Sequence, residues 1–167
     1  MDVMPAILAR RSIRKYTETP VDEDVIHELL AAGMAAPSGH NAQPWHFVVV
    51  TERGQLDALA EGHVYGKMLR QAPLAIVVCG EPRLSEAFWV QDCSAATQNI
   101  LLAAHAHGLG AVWVGVYPQE ALVSLVRRVT GLPEEIMPLN IVPIGHPAEE
   151  KEPAGRFDPA RIHREHW

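Results

Sequence analysis

Apolar residues recur at helical spacing in five places along the chain and at strand spacing in four. Residues 3–9 predict a short first helix with Ile7 and Leu8 on its apolar face, and residues 11–20 have no helical period and read as a loop. Asp22 is placed to cap a second helix, with Glu23 and Asp24 in its first turn, where the helix dipole favours acids. Val25, Ile26, Leu29, Leu30 and Met34 then form its buried stripe, and Pro37 closes the pattern. Residues 46–51 and 74–79 are short aromatic or β-branched runs and predict buried strands, with a polar helix over 55–61 between them. The longest pattern, 85–107, is rich in small residues and apolar on more than one face, so it predicts a central helix, ended by Gly108-Leu109-Gly110. A third strand is expected over 111–116. A helix starting at Pro118 should bury Leu122, Leu125, Val126 and Val129, ending at Gly131, and a fourth strand should run over 139–144. After Gly145 the chain turns polar and proline-punctuated. Residues 1–145 therefore read as one α+β domain and 146–167 as a tail. The large Phe157, Ile162 and Trp167 argue that the tail docks on another surface, such as a partner subunit.

The chain has 167 residues, 48% of them hydrophobic, enough for one core. No run is long and apolar enough to span a bilayer, and the start lacks a signal-peptide core, so a soluble cytoplasmic protein is expected with no membrane partner. The net charge of -6 disfavours nucleic acid. Cys79 and Cys93 match neither a redox pair nor a zinc spacing and read as small buried thiols. Nine histidines offer no ligand set with carboxylate or thiol partners, so no metal is expected.

Two segments carry candidate chemistry. Arg10, Arg11, Arg14 and Lys15 form a basic cluster in an acidic chain, with the Ser12 hydroxyl among them. Guanidinium groups pair with phosphate oxygens and a hydroxyl adds a donor, although a solvated basic loop would look the same. The loop 37–45 offers Ser38, Asn41 and Gln43 between two prolines. Such groups suit the polar edge of a planar heterocycle, or they belong to a plain connection.

Taken together, "RRSIRKY", "APSGHNAQPWHF", "AATQNILLAAHAHGLGAVWVG" and "IVPIGHPAEEKEP", in that order, resemble the FMN-dependent nitroreductase family over nearly the whole chain, as a short member. The resemblance implies a nitroreductase-like α+β fold: a mixed, mostly antiparallel central sheet flanked by helices, in an intertwined homodimer with an FMN site at each interface. Arg10, Ser12 and Arg14 match positions that hold the phosphate, ribityl chain and pyrimidine edge, with Arg11 in the same motif. Pro37, Ser38 and Asn41 match a loop reaching the flavin from the other subunit, with Gln43 beside them. Val114 and Gly115 match the segment whose backbone passes the flavin N5. "KMLRQAP" places Lys67 near the N1–C2 carbonyl edge, and Arg156 matches a basic residue closing over the phosphate. Arg10, Arg11 and Arg156 would offset the phosphate charge, while Arg14 or Lys67 would favour reduced flavin. The implied activity is ping-pong hydride transfer from NADH or NADPH through flavin N5 to nitroaromatics, quinones or similar small acceptors. In that scheme the flavin supplies the chemistry and no protein acid or base is catalytic. Two alternatives remain: a flavin-binding or flavin-storing dimer without turnover, and a flavin-dependent dehalogenase-type reductase, whose lid segments this short chain lacks.

Overall fold

The computed structural model describes residues 2–167. Five α-helices and five strands form an α+β fold: α1 (Val3–Ala9), α2 (Glu23–Met34), β1 (Trp45–Val50), α3 (Arg53–Gly62), β2 (Leu74–Gly80), α4 (Trp89–Ala106), β3 (Gly110–Ala111), β4 (Val114–Gly115), α5 (Glu120–Thr130) and β5 (Met137–Gly145). The strand order is β1-β2-β5-β3, and β4 also pairs with β5. All of these ladders are antiparallel, and a single parallel bridge joins Ser12 to Ala111.

β2 is buried along its whole length because both faces of the sheet are covered. The side-chain period of two sends Leu74, Ile76 and Val78 to one face, where they meet α2 and α4. Ala75, Val77 and Cys79 go to the other face, against Leu56, Leu59 and Val126 of α3 and α5. Each fully buried Leu, Ile or Val contributes roughly 1.5–3 kcal/mol, so these two layers are the main source of the frame's stability.

Four elements differ from the sequence expectation. The third strand is split. β3 and β4 share one register on β5, with Ala111 opposite Ile144 and Val114 opposite Ile141. That register puts Val112 opposite Pro143, which has no N–H to give the ladder, so pairing lapses there. α4 begins at Trp89 rather than at residue 85, because residues 82–84 make a separate 3-10 turn. α5 begins at Glu120, leaving Pro118 in the turn before it; the expected proline in the helix's first turn is thus absent. On α2, Met34 is exposed and Gly33 takes the buried position, where a Cβ would meet Ile100 and Phe47 at 3.1 Å. Asp22 occupies the N-cap position without a side-chain capping bond.

Candidate functional site

α1 ends at Arg10, and the chain then runs extended across the edge of the sheet. Ile13 donates its N–H to the Ala111 carbonyl at 3.1 Å. The approach is close: a Cβ on Gly110 would lie 2.6 Å from Ile13, so only glycine fits there. On its other side the strip is held by the start of the tail. Thr17 donates its N–H to the His146 carbonyl and Ala148 donates to the Lys15 carbonyl, both at 2.9 Å. The Arg14 N–H binds Glu149 Oε1 at 2.6 Å, and Lys151 Nζ donates to the Ser12 carbonyl at 2.7 Å. Residues 146–151 therefore lie on this chain's own residues 12–17. Beyond them, residues 152–167 are exposed.

The strip has a charged end and an open end. At the first, desolvation lowers the Arg10 pKa, and the charges of Arg156 and then Arg11 lower it further. Among the described residues, none of these three guanidiniums has a carboxylate within 4 Å; every ion pair involves other groups. Arg11 shares a hollow with Glu149, Glu150 and Glu152, so the like charge that would attract an anion is that of Arg10 beside Arg156. At the other end Arg14 lines a cavity of about 450 Å³ with His63, Tyr65, Met68, Trp113, Val114, Gly115 and Gln119. A Cβ on Gly115 would meet no protein atom within 4 Å, so the space beside this backbone is open. Arg10 and Arg14 stand four positions apart, at most about 14 Å of extended chain, the length scale of a mononucleotide.

The loop with Pro37, Ser38, Asn41 and Gln43 is not at this cavity. It borders a different hollow, made by Gly39, His40 and Ala42 with residues 84–88. Its polar groups are organised among themselves. Gln43 donates its N–H to Ser38 Oγ and its side-chain amide to Asn41 Oδ1, both at 3.0 Å. His40, Asn41 and Gln43 all have positive φ, which fixes a tight shape. Asp92 of α4 anchors the loop by accepting from the Gly39 N–H at 2.9 Å and from Ser85 Oγ at 2.8 Å. Lys67 sits beside Met68, but its ammonium donates to the Ala60 and Glu61 carbonyls at the end of α3. Asp92 thus organises the loop within one chain. His63 was not singled out, and nothing in its spacing marks it; only its place just past α3 would have drawn attention.

The family model described as the nitroreductase family matches residues 7–68 and 55–146. The chain is 51% identical over 169 residues to a protein of Methanothermobacter thermautotrophicus named "Putative NADH dehydrogenase/NAD(P)H nitroreductase", covering 100% of this chain and 88% of that one. A crystal structure of the same name from Parabacteroides distasonis matches with a TM-score of 0.96 and 46% identity, over 98% of each chain. One from Desulfovibrio desulfuricans, "a putative nitroreductase in complex with fmn", matches with a TM-score of 0.85 and 33% identity, over 100% of this chain and 98% of that one. Matched along nearly its full length in both sequence and fold, this chain belongs to the nitroreductase family.

Proposed function

We propose that the chain is an FMN-dependent oxidoreductase that takes electrons from NADH or NADPH and delivers them to nitroaromatics, quinones or similar small acceptors, working as a homodimer. The observation that carries this reading is the strip 10–14, which has guanidiniums without an ion-pair partner at one end and a cavity of about 450 Å³ at the other. Support also comes from the FMN in the Desulfovibrio desulfuricans relative and the NAD(P)H in the name of the Methanothermobacter thermautotrophicus one.

In this reading Arg10, Arg11, Ser12 and Arg156 hold the phosphate, with charge-assisted hydrogen bonds offsetting its nearly two negative charges. Arg14 and Lys67 face the pyrimidine edge; Lys67 must first let go of the α3 carbonyls. Val114 and Gly115 run along the ring. Pro37, Ser38, Asn41 and Gln43 serve the site of the opposite subunit, which accounts for their distance from the cavity of their own chain. When bound, FMN supplies a two-electron carrier between nicotinamide and acceptor; the protein supplies position and electrostatics.

The test is the visible spectrum of the purified protein, with the released cofactor identified by mass. FMN at about one per chain supports the reading, and Arg10→Ala should lose it; full flavin occupancy in that variant would sink the phosphate assignment. Bleaching by NADH or NADPH and reoxidation by a quinone identify an enzyme. Bound flavin that neither nucleotide can reduce would identify a storage dimer instead.

A further inference from the structure

His63 is 2% exposed, and both of its ring nitrogens are used. The Tyr65 N–H donates to Nδ1 at 3.2 Å, so Nδ1 is the acceptor and the proton sits on Nε2. Nε2 lies 2.8 Å from the Gly115 carbonyl oxygen, to which it therefore donates. Gly66 packs against the base of this side chain: a Cβ there would come within 2.9 Å of the His63 Cβ.

The consequence lies in how β4 is hung on β5. Val116 donates its N–H to the Leu139 carbonyl at 3.0 Å, so those two residues form a hydrogen-bonded pair. Along an antiparallel ladder such pairs alternate with unbonded ones. Gly115, opposite Asn140, is the unbonded member and turns both its N–H and its carbonyl outward from β5. Among the described residues no strand lies beyond β4. The outward edge of Gly115 would thus offer one donor and one acceptor side by side at the cavity. His63 occupies the acceptor and leaves the donor.

We propose that His63 is a positioning residue of the cofactor site: by holding the Gly115 carbonyl it fixes that backbone as a hydrogen-bond donor toward an acceptor atom on the ring of the bound flavin. The inference rests on the FMN reading above.

The experiment compares the full-length apo-protein with its His63→Leu and His63→Gln variants in FMN titrations followed by flavin fluorescence and absorption. His63→Leu should weaken FMN binding about tenfold, the worth of one misplaced buried hydrogen bond, and should shift the visible bands of the bound flavin. His63→Gln, whose amide N–H can reach the same carbonyl, should restore both. A generic packing role predicts instead that Gln does no better than Leu and that the bands stay put; that result overturns the proposal. Should neither variant fold, the wild-type Gly115 amide resonance decides: it must move on FMN addition, and a stationary signal overturns the proposal equally. Failure of the wild-type protein to bind FMN defeats the cofactor reading itself and takes this inference with it.

Discussion

Asp92 shows how much one buried side chain can organise. It is 5% exposed on a mostly apolar helix, and its two oxygens tie α4 to the loop 37–44 and to Ser85. Removing the carboxylate leaves the Gly39 N–H and the Ser85 hydroxyl without their acceptor. Asp92→Ala should therefore cost about 2–3 kcal/mol in chemical denaturation. It should also weaken FMN binding in the dimer, through the loop rather than through any contact of its own. Unchanged flavin affinity would mean that the loop plays no part in the site. The thiols illustrate the opposite case, where burial silences a reactive group. Desolvation pushes Cys79 up to about 12, and Cys93 likewise, with the neighbouring Cys79 and Asp92 adding to the effect. These are packing residues.

At the scale of elements, the notable unit is the ladder between residues 12–17 and 146–151. It ties residues far apart in the chain and holds the backbone of Ser12 and Arg14. Glu149 is its electrostatic clasp: the Arg14 N–H and then the Lys151 ammonium, 2.9 Å away, hold its pKa below the usual carboxylate value. Because the folded-state value is the lower one, the carboxylate adds stability above its ordinary range. That contribution is lost as pH falls through the lowered value. Glu149→Gln should accordingly be less stable than wild type at neutral pH, with the difference vanishing in acid. Thermal melts from neutral to acidic pH check this, and a constant offset across that range would rule out the clasp.

For the whole molecule, the telling feature is apolar surface left uncovered. Phe157 is 82% exposed and Trp167 fully so, and Val3, Met4 and Leu8 of α1 are also in the open. Side chains of this size, on both a terminal helix and an extended tail, suit contact with a second copy of the chain. Light scattering should give twice the 18.4 kDa chain mass. Deleting residues 157–167 should raise the dissociation constant of the dimer and loosen FMN with it, while leaving 146–151 on the chain's own strip. A truncated protein that stays equally dimeric would assign the tail some other role.

The sequence by itself determined every helix and nearly every strand, because those depend on local periodicity: the stripe of α2, the small-residue face of α4 and the glycine past α5, which takes φ +72°. The family motifs likewise lie in contiguous residues and were legible without coordinates. Only the tertiary structure decided what depends on partners distant in the chain. Pro143 splits a strand 31 residues before it through the register of β5. Glu149 reaches Arg14 across 135 positions, and His63 reaches Gly115 across 52. Periodicity records which way a side chain faces within its own element. It carries no trace of which carbonyl, from a different element, will stand opposite.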